Sequence, residues 1–286
     1  MPIPAFLKMP FLDLAHTVWS MPEEYWIDDS PRISDTDLVK KEAEGDSSID
    51  ERKLRSEMVE QWSSGSNGVS LRIKVLPGRT RLLFVGTDDQ WSQIPWATWA
   101  RIFQAIGYPI DHVLFYANPL KREFPTDDER QKGIQIHAKN INAGYSYLCQ
   151  TKIVVIFRFE EATRVLLHEL LHTACFDSEL GVEDLEANTE AWTEILLCAI
   201  LSKGKPRTFT GLWAKQCRWI EAQTDHLQTV WKLTGPHDYA WRYTIGRHEV
   251  LVDRGFMYKG KDSGSIESPS IPIGLRFTTP EWDAYL

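Results

Sequence analysis

The sequence predicts an α+β fold in which a small mixed sheet leads into a mainly helical C-terminal half. Alternating and β-branched runs recur through residues 69–159, a pattern typical of strands. From residue 160 to about residue 252 the chain takes mostly helical spacing instead, and an irregular tail that contains residues 263–270 is expected after it. The chain has 286 residues, 43% of them hydrophobic and 25% charged, which is typical of a globular protein with a buried core.

Residues 1–68 are predicted to be an N-terminal arm followed by a charged surface segment. This region is rich in charged residues, contains one predicted helix at about 49–62, and ends in a Ser, Gly and Asn cluster typical of a flexible boundary. The main domain is then expected to cover residues 69–286. Its sheet lobe spans about 69–159 and its helical lobe about 160–286.

The sheet lobe is predicted from its turn residues and its β-branched runs. Pro77-Gly78 separates two such runs and predicts a hairpin. The elements expected in order are strands at 70–76 and 79–86, a helix at about 92–106, and strands at 112–116 and 151–159.

The helical lobe begins with the most informative motif of the chain, His168-Glu169-Leu170-Leu171-His172. On a helix, residues four apart share a face, so both imidazoles can bind one metal ion. Glu169 lies between them, as in the HExxH signature of zinc peptidases. Glu160 and Glu161 precede the motif and are expected in the first turn of its helix, where carboxylates complement the helix dipole.

A catalytic zinc site needs a third protein ligand, which the sequence offers on a second predicted helix at about 187–201. Glu190 is the predicted ligand, and Glu194, one turn later, is predicted to accept the N–H of a ligating imidazole. An alternative shifts this assignment by one turn. In this alternative Glu186 is the metal ligand, and Glu190 accepts the N–H of a ligating imidazole.

With these two elements the chain resembles the gluzincin metallopeptidases, the thermolysin-like group that combines HExxH with a later glutamate and an acidic residue four positions on. The resemblance covers about residues 151–201. It implies a zincin-like fold, with an edge strand above the metal helix and a cleft between sheet and helical lobes. It also implies that His168, His172 and Glu190 bind Zn²⁺ and that Glu169 is the catalytic base.

The segment Asn140-Ile-Asn-Ala-Gly-Tyr145, which precedes the last predicted strand, is similar to predicted metallopeptidases of large DNA viruses. An edge strand at this position would pair with an extended peptide through its main chain. Asn142 and Ala143 are therefore candidate substrate-binding residues. The alternative is an ordinary turn, because Asn and Gly are common turn formers.

The expected reaction is peptide hydrolysis by a zinc-activated water, with Glu169 as the general base. The oxyanion of such a reaction usually needs a further hydrogen-bond donor. Tyr243 is the first candidate and His237 the second, in a segment rich in polar and aromatic residues. The alternative for Tyr239 and Tyr243, one turn apart, is that both are half-buried packing residues.

A zinc metallopeptidase acting on a peptide or protein is therefore the predicted function. The alternatives are a zincin-fold structural or assembly protein with little or no turnover, for example a component of a virus particle, and a zinc hydrolase of a non-peptide amide. The net charge of −8 does not favour nucleic acid as a partner. No apolar run has membrane-spanning length, so no membrane partner is expected.

Cysteine usage and the N-terminus predict the compartment. The four cysteines contain no Cys-x-x-Cys pair, and Cys175 is expected to be a buried thiol. The N-terminus lacks the pattern of a signal peptide. The prediction is an intracellular, cytoplasmic protein, in the host cytoplasm or the virion if it is viral.

Overall fold

The computed structural model describes residues 5–45, 48–175, 182–258 and 273–286. The chain divides into two compact units, here called the sheet unit and the helical unit. The sheet unit comprises residues 22–121 and 142–176, and the helical unit comprises residues 1–21, 122–141 and 177–286.

The strands form one mixed sheet, as the sequence predicted. In the described part of the chain they are β1 (Ile27–Asp29), β2 (Ser70–Leu76), β3 (Thr80–Gly86), β4 (His112–Tyr116), β5 (Gly144–Ser146) and β6 (Ile153–Ile156). Their order across the sheet is β1-β2-β3-β4-β6-β5. β4 pairs in parallel with β3 and β6, and the remaining neighbours are antiparallel.

The α-helices account for most of the rest. They are α1 (Ala5–Ser20), α2 (Ile33–Glu44), α3 (Leu54–Ser63), α4 (Asp88–Ser92), α5 (Trp96–Ile106), α6 (Asp127–Gln131), α7 (Ala138–Ile141), α8 (Ala162–Thr173), α9 (Val182–Leu201), α10 (Pro206–Thr229) and α11 (Arg247–Asp253). A short π-helix, Arg242–Gly246, leads directly into α11.

The predicted hairpin of β2 and β3 is present. Leu76 pairs with Thr80, and the N–H of Arg79 donates to the Leu76 carbonyl at 2.9 Å to close the turn. Gly78 has a φ of +71°, a conformation that strains residues with a Cβ.

The predicted helix at 92–106 is interrupted. The structure has α4 and α5, separated at Pro95, which stands just before α5. Proline has no N–H to continue the hydrogen-bond ladder of α4, but it suits the start of a helix.

The boundary predicted at residue 68 differs from the observed division. α2 and α3 belong to the sheet unit, where Val39 and Met58 pack in one core with strand residues such as Leu83, Leu114 and Val155. The charged residues of this segment had suggested a surface arm. Most of the described ones are exposed on helices whose apolar faces are buried, whereas Asp35, Asp50 and Arg55 are buried.

Helix α3 starts later than predicted because Asp50 caps it. The Asp50 carboxylate accepts from the N–H groups of Leu54 (2.9 Å) and Arg55 (3.0 Å), at the helix N-terminus. The side chain of Arg55 also donates to Asp50 at 3.1 Å, and both are almost fully buried.

The helical unit has its own core, as predicted for the C-terminal half. Leu227 of α10, Ile245 of the π-helix and Phe277 near the C-terminus are among its buried members. The predicted irregular tail at 263–270 lies outside the described residues. No helix in the described ranges is long and apolar enough to cross a membrane.

Candidate metal centre

The motif helix α8 follows β6, as the sequence predicted, but it belongs to the sheet unit. The helix begins at Ala162, and Glu161 stands before it with a φ of +58°. Glu160 and Glu161 therefore precede the first turn rather than forming it. Val165, Leu166 and Leu170 are buried, which fixes the helix in the core of the unit.

His168 and His172 face one another on this helix. Their Nε2 atoms lie 3.0 Å apart, and His168 is 7% exposed. In a tetrahedral zinc site with Zn–N bonds of about 2.0–2.1 Å, two ligand nitrogens are about 3.3 Å apart. The separation of the two imidazole nitrogens therefore suits shared coordination of one ion.

The acidic residue that accompanies the histidines is Glu186. Among the described residues, one group of His, Cys, Asp and Glu side chains has metal-ligand spacing. One ligand atom from each of His168, His172 and Glu186 lies within 4.8 Å of the other two. This group contains Glu186, the alternative ligand, rather than Glu190, and the identity of the third ligand stays a prediction.

Helix α9 starts earlier than predicted. The second helix was predicted to begin at about residue 187, which left Glu186 in its entry. It begins at Val182, so Glu186 is a helical residue one turn before Glu190. Glu190 is 2% exposed and lies one turn further into the helical unit.

Glu194 lies in a buried polar environment beside Arg247. It is fully buried in the helical unit and accepts hydrogen bonds from Arg247 and from Gln216 Nε2, the latter at 2.8 Å. Arg247 is also fully buried, and a buried guanidinium requires a counter-charge. Glu194 is thus the partner of a buried ion pair, and its role beside His168 stays a prediction.

Glu169, the predicted base, is 5% exposed and contacts the short strand β5. Ser146 Oγ lies 2.9 Å from Glu169 Oε2 and 3.0 Å from the Glu169 carbonyl oxygen. Ser146 was not singled out from the sequence. A three-residue strand has too little pattern to be recognised, and β5 was not predicted as a separate element.

β5 lies at the end of the sheet order, so it is an edge strand antiparallel to β6. The N–H of Phe157 donates to the Ala143 carbonyl at 2.7 Å. Residue pairs in an antiparallel ladder alternate between hydrogen-bonded and non-hydrogen-bonded pairs. Because Ala143 is hydrogen-bonded to Phe157, the N–H and C=O groups of Gly144 and Ser146 face away from β6. These groups have the direction needed to pair with an added strand.

The two residues predicted to bind substrate make contacts within the sheet unit. The Asn142 side chain donates to the Ile49 carbonyl at 3.1 Å, and the Asn142 carbonyl accepts from Arg158 at 2.8 Å. The Ala143 carbonyl accepts a hydrogen bond from the N–H of Phe157. Both residues precede β5, and the main-chain groups that face away from β6 belong to Gly144 and Ser146.

Tyr243 lies in the π-helix, an element often found at functional sites. Burial raises the pKa of its phenol well above the usual range, and the nearby Glu186 carboxylate raises that pKa further. The Tyr243 hydroxyl lies 3.4 Å from the Tyr239 hydroxyl. Tyr243 therefore remains a protonated hydrogen-bond donor near the glutamate of the candidate centre.

His237, the second oxyanion candidate, is a surface residue. Its side chain is 73% exposed, and its Nε2 lies 3.6 Å from Asp238 Oδ2. Thr234 Oγ1 is 3.3 Å from the same nitrogen. Nothing in these contacts relates His237 to the candidate centre.

A disulfide joins Cys149 to Cys175, just past the end of α8. Both residues are exposed, so the prediction of a buried thiol at Cys175 is wrong. Both backbone N–H groups donate to the His172 carbonyl, at 3.1 and 3.2 Å. The bond therefore holds two chain segments at the C-terminal end of the motif helix.

A comparison of the chain with models of protein families, with curated proteins and with solved structures found no match.

Proposed function

We propose that this protein is a zinc-dependent peptidase with His168, His172 and Glu186 as its metal ligands. The observation that carries the proposal is the convergence of two imidazole nitrogens and one carboxylate, with Glu169 next to His168 on a buried helix. Two imidazoles and one carboxylate, with a position left for water, form a common catalytic zinc set.

The residues of the chain then have distinct tasks in hydrolysis. Bound zinc would supply a Lewis acid that makes water easier to deprotonate. Glu169 accepts the proton of the attacking water and passes it to the leaving amine. Tyr243, protonated at neutral pH, is the proposed donor to the oxyanion that develops on the scissile carbonyl.

The proposed substrate is an extended peptide that pairs with β5. Gly144 and Ser146 direct their peptide groups away from β6, and main-chain pairing of this kind accepts many sequences. The side-chain preference would be set by residues around the edge.

The test is cleavage of an unbiased peptide library by the purified protein, in parallel with Glu169→Gln. We expect wild type to cleave and the variant to lose at least about a hundredfold in rate while keeping its zinc, because only the base is removed. Equal cleavage by both proteins would contradict the assigned base. Zinc binding without any cleavage would favour the alternative, a zincin-like scaffold without turnover.

A further inference from the structure

The same face of β5 presents two residues to the motif helix. Gly144 and Ser146 are two apart, so they share one face of the strand, whereas Tyr145 points to the other face and packs in the core of the sheet unit. Both residues lie next to Glu169.

Ser146 contacts the functional end of the Glu169 side chain. Its hydroxyl lies 2.9 Å from Oε2, within range of a strong hydrogen bond to a charged acceptor. A glutamate side chain has three rotatable bonds, and a fixed donor restricts where its oxygens lie.

Gly144 has no side chain, which allows β5 to lie close to the Glu169 carboxylate. A Cβ at this position would lie 3.2 Å from Glu169 Oε1 and 2.5 Å from Val165 Cγ1. One carboxylate oxygen is therefore next to Gly144 and the other next to Ser146.

We propose that Ser146 is the positioning residue of the general base, a role that rests on the peptidase function proposed above. Its hydroxyl orients the Glu169 carboxylate, while its peptide group lies at the edge where a substrate strand would pair. The strand that docks the substrate thus also orients the base. Ser146 takes part in no covalent step.

The experiment compares full-length wild type with Ser146→Ala, Ser146→Thr and Ser92→Ala. Threonine keeps the hydroxyl and suits a strand. Ser92 is an exposed serine on α4 whose hydroxyl donates to a backbone carbonyl, so it is a matched control. The readouts are kcat and KM on a cleaved peptide, zinc content, and melting temperature.

We expect Ser146→Ala to lower kcat by about tenfold to a hundredfold, the value of a hydrogen bond to a charged group. KM should change by less than about threefold, because the main-chain contacts remain. Ser146→Thr should restore most of kcat, and zinc content should be constant. An active wild type with unchanged kcat in Ser146→Ala would overturn the inference and leave the peptidase function intact.

A second measurement separates this inference from the proposed function. If wild type cleaves no peptide, the melting temperatures of Ser146→Ala, Glu169→Ala and the double variant form a cycle that needs no activity. Non-additive shifts would support the contact between the two side chains. Additive shifts would overturn it.

Discussion

Glu194 and Arg247 form an ion pair in which both side chains are fully buried. The pair joins α9 to α11, and Gln216 of α10 donates to the same carboxylate. Glu194, the last acidic residue of α9, therefore belongs to the core of the helical unit.

Replacing Arg247 with Met should destabilise the protein by about 3–5 kcal/mol, because it leaves a buried carboxylate without its counter-charge. Urea unfolding measures the change in free energy of unfolding. Asp283→Asn is the matched control, since it breaks an ion pair with Arg276 in which the aspartate is 56% exposed. That change should cost less than about 1 kcal/mol. Equal effects of both substitutions would contradict the buried pair.

Gly144→Ala should destabilise the sheet unit by about 1–3 kcal/mol, because the added methyl would lie 2.5 Å from Val165 and 2.7 Å from the Val155 carbonyl. Thermal and urea unfolding measure this effect. Gly211→Ala is the matched control. Gly211 lies inside α10 with open space around its Cβ position, so alanine should stabilise the helix by up to about 1 kcal/mol. A neutral Gly144→Ala would contradict the close approach of β5 to α8.

Reduction of the disulfide between Cys149 and Cys175 should destabilise the protein by about 3 kcal/mol, as expected for cysteines 26 residues apart. Unfolding with and without a reductant measures the difference. Cys149→Ser should show the same loss and no further effect of reductant, while Cys217→Ser, at a free cysteine, should keep the full effect. An unreduced protein with four alkylatable thiols would contradict the bond.

The ion pair between Asp35 and Arg81 should make stability depend on acidic pH. Burial raises the pKa of the Asp35 carboxyl, but the hydrogen bond from Arg81, with its charge, outweighs burial and holds that pKa below its usual range. A pKa lowered on folding adds stability above the unfolded value, and this stability is lost as pH falls through the folded value.

Asp35→Asn should therefore lower the melting temperature at pH 7 and have a much smaller effect near pH 2. Melting curves across this range measure the difference. Asp127→Asn, at an exposed pair with Arg130, should change little at any pH. An effect of Asp35→Asn that does not vary with pH would contradict the ion-pair account.

The local part of the site could be predicted from the sequence. The spacing of His168 and His172 is a property of one helix, and the structure brings their nitrogens together as that spacing requires. The hairpin of β2 and β3 is local in the same way, since Pro77-Gly78 sets its turn.

The remaining features depend on contacts between residues that are far apart in the chain. The choice between Glu186 and Glu190 depends on contacts outside α9, because the two glutamates lie one turn apart on that helix. Ser146 meets Glu169 only because Gly144 allows β5 to approach α8. The pairing of Cys149 with Cys175 likewise requires the fold.

The zinc content of purified wild type, Glu186→Gln and Glu190→Gln distinguishes the proposed ligand set from its alternative. The two glutamates lie one turn apart on the same helix, so each variant is the control for the other. We predict one zinc ion per chain in wild type, loss of zinc in Glu186→Gln, and retention in Glu190→Gln. Loss in Glu190→Gln alone would contradict the ligand set, and no zinc in wild type would contradict the proposed function.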